Sequence, residues 1–206
     1  ADETTPAVRL AIVEALARLG DKRSRQMLES YAKQYFLDLR LAVIPTIGEL
    51  RVQGAFRILR TLMRNTKNPP RVRVSAAGAL GAMGIYEKAG EKLAQLALEN
   101  PDALLREFYG PKHTVTDVER SSLRQIAAMA MGNIGNDQAI SVLQPYLQDH
   151  DSAVRVAVAM AILDLLSPRI STAESPYEAP KSPGTEHDRS LPRIQTSGGM
   201  DEFDAP

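Results

Sequence analysis

A row of arginines is the feature of this sequence best suited to chemistry. Residues 50–86 include seven basic side chains and no acidic one. Arg57, Arg60 and Arg64 recur at helical spacing, opposite an apolar set, within a predicted helix over 54–65. Guanidinium groups in such a row grip carboxylates, phosphates or an acidic partner, so we predict partner binding here. The alternative is a solvated helix face without a ligand.

Groups typical of catalysis or metal binding are scattered along the chain. The 206 residues include no cysteine, which excludes a thiol nucleophile and a zinc–thiolate site. The three histidines, His113, His150 and His187, do not fall at ligand spacing on one helix. A phosphate-binding glycine loop and a Gly-x-Ser-x-Gly motif are both absent from the sequence. We therefore expect no catalytic, cofactor or metal site, and a protein that is not an enzyme.

An internal repeat organises the chain. The segments VRLAIVEALARLG, VRVSAAGALGAMG and LRQIAAMAMGNIG share an arginine, small residues after it, and a glycine eleven positions later. Two degenerate copies begin at Leu39 and Val154 and lack that glycine. A period of this size predicts stacked helix pairs, and one longer interval indicates an insertion over 101–120. The five repeat arginines are Arg9, Arg40, Arg73, Arg124 and Arg155.

The repeat predicts an all-α, right-handed α-solenoid of about four and a half helix pairs over residues 1–166. Apolar residues at helical spacing indicate a helix at the start of each repeat, and Pro45 predicts a kink in the helix of the second copy. The fifth copy has a helix over 151–166 but no second helix, so its bare apolar edge needs a cover from the tail or another protein. The first-helix apolar residues are Val8, Ile12, Leu16 and Leu19. The second helices are predicted over 22–35, 54–65, 86–99 and 137–148.

The motifs V-R-x-x-A-x-x-A-L-x-x-x-G and G-[DN]-x-x-A-x-x-x-L resemble HEAT repeats, particularly the short bacterial class similar to phycobilisome-lyase repeats. The resemblance covers about residues 5–166. It implies that the five repeat arginines tie neighbouring repeats together. It also implies a function from a family of scaffolds, adaptors and a few enzymes, because the fold is shared by all of them.

The insertion and the tail are two further candidate binding segments. In the insertion, Phe108 and Tyr109 are predicted anchors for a partner, unless they fold back onto the second helix of the third repeat. The tail over 167–206 is rich in Pro, Ser and acidic residues, so we predict an extended, largely irregular segment that lies along a neighbour. Its predicted contact points are Tyr177, Leu191, Ile194 and Phe203.

Charge and termini bear on partners and compartment. Residues 1–166 carry 21 Lys and Arg against 18 Asp and Glu, and residues 167–206 carry 4 against 7. This balance is too even for a nucleic-acid or membrane protein, and no apolar run is long enough to span a bilayer. The start at Ala1-Asp2-Glu3 resembles a mature end left by signal-peptide cleavage, which favours a periplasmic protein. An excised fragment of a cytoplasmic protein is the alternative.

These features together predict a non-catalytic scaffold or subunit that docks protein partners through the solenoid surface, the insertion and the tail. Two other readings stay open. One is an enzyme of the bilin-lyase type, which the repeats resemble. The other is a DNA-binding HEAT protein that uses the arginine-rich region 51–73 and binds with a steep salt dependence.

Overall fold

The computed structural model describes residues 5–136 and 138–167, and every regular element in this part of the chain is helical. The helices are α1 (Pro6–Arg18), α2 (Lys22–Ala32), α3 (Leu37–Glu49), α4 (Phe56–Arg64), α5 (Pro70–Ala82), α6 (Lys88–Glu99), α7 (Pro101–Tyr109), α8 (Asp117–Ile134), α9 (Ala139–Leu143) and α10 (Ser152–Leu166). Short 3₁₀ segments, Gln53–Ala55 and Gln144–Gln148, precede α4 and follow α9.

The helices form the predicted stack of pairs, so the α-solenoid is confirmed. The pairs are α1 with α2, α3 with α4, α5 with α6, and α8 with α9, while α10 is the first helix of a fifth repeat. The first helices α3, α5, α8 and α10 pack against one another in series. Helix α3 continues through Pro45, which lies exposed within it.

Glycines explain how closely the first helices approach. A Cβ atom added to Gly48 on α3 would lie 2.7 Å from the Cα of Ala79 on α5. The same geometry recurs one step along, where a Cβ on Gly78 would lie 2.9 Å from the Cα of Ala130 on α8. Both distances are well inside van der Waals contact, so these positions require glycine. The small residues of the repeat motif are therefore the contact between successive first helices.

The turns that end the first helices use a left-handed residue. In the first and third repeats this residue is Gly20 (φ 94°) or Gly84 (φ 80°), as the repeat predicts. The second repeat has no glycine there, yet its turn has the same form because Arg51 takes a φ of 48°. The amide of Arg51 donates to the carbonyl of Gly48 at 3.1 Å, which matches the bond from Gly84 to Gly81 at 2.8 Å.

The apolar stripe of α1 is exposed. The core residues of this helix are Val13 and Ala17, whereas the four apolar residues at helical spacing, from Val8 to Leu19, are exposed. Spacing shows that a helix has an apolar stripe but not which neighbour that stripe meets.

The predicted insertion is largely structured. Residues 101–109 form helix α7, residues 110–116 form a loop, and α8 begins at Asp117. Leu104 and Leu105 are buried, and α7 packs against α5, α6 and α8. The added length is therefore an extra helix folded back onto the third repeat, followed by a short loop.

Candidate protein-interaction surfaces

The predicted row of arginines on α4 is divided by a single carboxylate. Arg60 and Arg64 both pair with Glu87, which occupies the N-cap position of α6 in the next repeat. Arg64 Nη2 lies 2.9 Å from Glu87 Oε2. The Arg60 guanidinium also lies 4.4 Å above the ring centre of Phe56. These two arginines therefore join the second helices of neighbouring repeats, which is a structural contact.

The environment of Glu87 shows how strongly it is held as an anion. Its side chain is only 9% exposed, and this burial on its own would raise the pKa of the carboxyl group. Hydrogen bonds from Arg60 and Arg64 outweigh the burial, so the pKa of Glu87 lies below its usual value. Glu87 is thus charged at neutral pH and offsets one of the two positive charges with which it pairs.

Arg57 lies apart from this cluster. It is exposed on α4 and has no ion-pair partner among the described residues. Instead it lines a groove together with Arg40 of α3 and Lys33, which follows α2. The structure therefore places Arg57 with basic residues from two other helices rather than with its neighbours in sequence.

Three of the five repeat arginines bond to the helix pair before their own. Arg73 Nε donates to the Met63 carbonyl at 3.3 Å, and Arg124 Nε donates to the Leu98 carbonyl at 3.1 Å. Arg155 Nη1 donates to the carbonyl of Asp149 at 2.8 Å. These bonds satisfy carbonyl groups at the ends of the preceding second helices. The other two arginines, Arg9 and Arg40, make no such bond within the described residues.

The predicted anchors of the insertion lie at the end of α7. The rings of Phe108 and Tyr109 meet edge to face at 4.7 Å, and Tyr109 stacks on His113 at 4.6 Å. Phe108 is half-buried, while Tyr109 is about half exposed. Their role as partner anchors stays a prediction, with Tyr109 the more accessible of the two.

An ion pair closes the insertion at its base. Arg120 Nε and Nη2 donate to the two carboxylate oxygens of Asp102 at 2.7 and 3.0 Å. The hydrogen bond from Arg120 lowers the pKa of Asp102 below its usual value, although partial burial opposes the shift. Because Asp102 lies in the first turn of α7 and Arg120 near the start of α8, this bidentate pair fixes the two ends of the segment to each other.

Helix α10 presents the largest group of exposed apolar side chains on any one of the described helices. Four of its large apolar residues are at least half exposed, whereas Val154, Val158 and Ala161 face the core. Two of the four extend an apolar groove between α8 and α10, which also includes Ile126 and Met129. The exposed residues are Val156, Met160, Leu163 and Leu166.

Sequence reasoning missed the aromatic pair Tyr35 and Phe36. Both lie in the connection between α2 and α3 and are 92% and 69% exposed. A signal was available, because two adjacent aromatic residues at an interhelical turn have few core positions to occupy. The predicted tail residues Tyr177, Leu191, Ile194 and Phe203 lie outside the described residues.

Membrane-spanning helices and metal-binding clusters are two features not found among residues 5–136 and 138–167. Helices there are neither long nor apolar enough for any of them to cross a bilayer. The same residues contain no group of three or more side chains arranged to hold a metal ion.

Comparison with known families identifies the class of protein. The HEAT-repeat family matches residues 34–107 and 116–173, and the PBS lyase HEAT-like repeat matches residues 8–34. The chain therefore belongs to the HEAT-repeat family, as the repeat motifs predicted. The residues between the two matched HEAT segments, 108–115, fall mainly in the loop after α7. A search of curated proteins finds no significant match.

Proposed function

We propose that this protein is a non-catalytic scaffold or subunit that binds protein partners through the surface of its α-solenoid. HEAT repeats are consistent with an interaction role of this kind, and the described helices carry open grooves between α8 and α10 and beside α4. Because one fold serves many functions, the partners of this protein are to be identified by co-purification.

The observation that carries this proposal is the exposed apolar face of α10. Four large side chains on one helix expose apolar surface next to an apolar groove. Contiguous patches of this kind on soluble proteins mark interaction sites, because burying them removes apolar area from water. We expect a partner chain to cover this face, with residues 168–206 as the competing cover.

The test is to recover the full tagged chain from its own cells and measure the mass of its assembly by native mass spectrometry. Wild type is expected in a complex larger than one chain. Met160→Asp places a charge in the α8–α10 groove and should release the partner. Leu96→Asp is the matched control, because Leu96 on α6 is exposed outside that groove and should tolerate the change. Recovery of wild type as a single chain would contradict the proposal.

A second set of variants separates the partner from the tail. Deletion of 168–206 should weaken the assembly and leave helicity unchanged if the tail contributes contacts. A truncated chain that assembles like wild type places the interaction on the helices alone.

The proposal that the protein is not an enzyme has its own test, because residues 8–34 match the PBS lyase HEAT-like repeat and bilin attachment is the alternative activity. A shift in bilin absorbance and covalent attachment on mixing would replace the scaffold with an enzyme.

A further inference from the structure

A basic groove crosses the second repeat. It has a volume of about 440 Å³ and lies between the end of α2, the first half of α3 and the outer face of α4. Its lining includes three cations, Lys33, Arg40 and Arg57, and no acidic side chain. Ile58 and Leu62 contribute apolar surface between them. The groove therefore combines uncompensated positive charge with an apolar component.

Arg40 is the part of this groove that the repeat pattern helps to interpret. At the same position, Arg73 and Arg124 donate through Nε to carbonyls of the preceding repeat. Arg40 Nε is buried and has no acceptor among the described residues, and only Nη1 bonds, to Asn68 Oδ1 at 3.0 Å. The protein thus keeps the arginine here without using it to close the stack, and leaves its charge without a carboxylate in the described part.

Two exposed aromatic side chains, here named the aromatic rim, lie close in sequence to residues that line the groove. Tyr35 and Phe36 follow Lys33 by two and three residues, and both are largely exposed. Phe36 occupies the N-cap position of α3 in an extended backbone conformation, four residues before Arg40. Arginine and tyrosine are the residues that most often dominate binding energy at protein interfaces.

We propose that this groove binds an acidic segment of a partner protein. Carboxylates of that segment pair with Arg40, Arg57 and Lys33, and an adjacent apolar side chain contacts the aromatic rim. The inference rests on the proposed scaffold function and adds the chemistry of the partner. It involves a different set of residues from the apolar face of α10.

A protein ligand fits the groove better than a nucleic acid. The basic track is short, because Glu87 pairs with both Arg60 and Arg64 immediately beside Arg57 and offsets one of their two charges. The chain as a whole has a formal net charge of zero, whereas nucleic-acid tracks require extended positive surface. The residues that line the groove include no aromatic ring, so bases could stack only on Tyr35 and Phe36 beside it.

The experiment measures binding of a labelled acidic peptide, with alternating Glu and Leu, to the full chain by fluorescence anisotropy. The control peptide has Gln at each Glu position. We expect binding of the acidic peptide only, weakening as salt is added. Arg57→Glu and Lys33→Glu should each weaken binding by roughly fivefold to tenfold. Lys92→Glu on α6 is the matched reversal of an exposed lysine and should change affinity less than about twofold.

Each outcome decides between this inference and its rivals. Equal affinity for the Glu and Gln peptides, or an equal loss with Lys92→Glu, overturns an acidic ligand at this groove. Tighter binding of an oligothymidylate of the same charge overturns a protein ligand in favour of nucleic acid. If the peptide fails while Met160→Asp still disrupts the assembly, the scaffold function stands and the groove inference alone is wrong. Circular dichroism of each variant verifies its fold.

Discussion

The second and fourth repeats carry the same arginine in different surroundings. Arg124 of the fourth repeat donates to the Leu98 carbonyl and lies 3.3 Å from a carboxylate oxygen of Asp149, whose side chain is almost fully buried. Arg40 of the second repeat bonds only to the amide oxygen of Asn68, and its Nε lacks an acceptor among the described residues. Arg124 is bonded to both a carbonyl and a carboxylate of the fold, whereas Arg40 has no carboxylate partner among the described residues.

The turns of the same two repeats share a left-handed conformation but differ in residue type. Gly135 ends α8 with a φ of 62°, while Arg51 takes the left-handed turn after α3. The second repeat therefore departs from the motif twice, and it is also the repeat that carries the basic groove. Departures from a local rule concentrate where function competes with stability, so these departures support the proposal that the basic groove of the second repeat binds a partner.

The largest effect is expected at the fourth repeat. Arg124→Ala removes the bond to the Leu98 carbonyl and leaves the buried Asp149 carboxylate without its cation. We expect the free energy of unfolding to fall by about 2–3 kcal/mol, measured by urea denaturation. Arg106→Ala is the control, because its pair with Asp102 is exposed at Arg106 and should contribute about 0.5 kcal/mol or less. Equal losses in the two variants would show that Arg124 is not a structural tie.

The second-largest effect is expected at Glu87, the carboxylate that pairs with Arg60 and Arg64. Glu87→Gln should lower the free energy of unfolding by about 1 kcal/mol near neutral pH, since Arg60 and Arg64 lose their anion but stay partly solvated. Because the folded pKa of Glu87 is lowered, its contribution is full above the unfolded value of about 4.3 and disappears as pH falls through the folded value.

Urea titrations at several pH values check this sign. The difference between wild type and Glu87→Gln should be constant at neutral pH and should shrink as the pH falls below about 4. A difference that grows on acidification contradicts the pairing of Glu87 with Arg60 and Arg64.

A smaller effect of opposite sign is expected at the turn of the second repeat. Arg51 has a left-handed backbone conformation, with a φ of 48°, that is strained for a residue with a Cβ atom. Arg51→Gly relieves this strain, so the variant should gain about 0.5–1 kcal/mol in free energy of unfolding. The reverse change at the equivalent position of the third repeat, Gly84→Ala, should lose about 1 kcal/mol. A loss of stability in Arg51→Gly would indicate that the arginine side chain has a structural contact of its own.

Much of the fold could be predicted from the sequence because the repeat is periodic. The spacing of Arg73, Arg124 and their glycines located the first helices, and the small residues between them proved to be the helix contacts at Gly48 and Gly78. The turn at Arg51 could not be predicted, since its conformation is imposed by the stack and not by the residue type. The exposure of the apolar stripe on α1 could not be predicted for a related reason, because periodicity does not identify the neighbouring element.

The candidate site was less predictable, because its contacts join distant parts of the chain. Arg64 and Glu87 are separated by 23 residues, and only folding brings them within 2.9 Å. The same packing groups Arg57 of α4 with Arg40 of α3 and with Lys33, which follows α2. A helical projection of α4 alone therefore predicts a row of three equivalent arginines where the structure has two bonded and one available.

The smallest stability effect gives the most direct test of the central claim, that Arg40 is kept for a partner. In Arg40→Ala, the free energy of unfolding should change by about 0.5 kcal/mol or less, since one hydrogen bond is lost and one unpaired buried donor is removed. In the same variant, binding of the Glu-containing peptide should weaken by roughly fivefold or more. A loss of stability as large as that of Arg124→Ala, with unchanged peptide affinity, would contradict the claim.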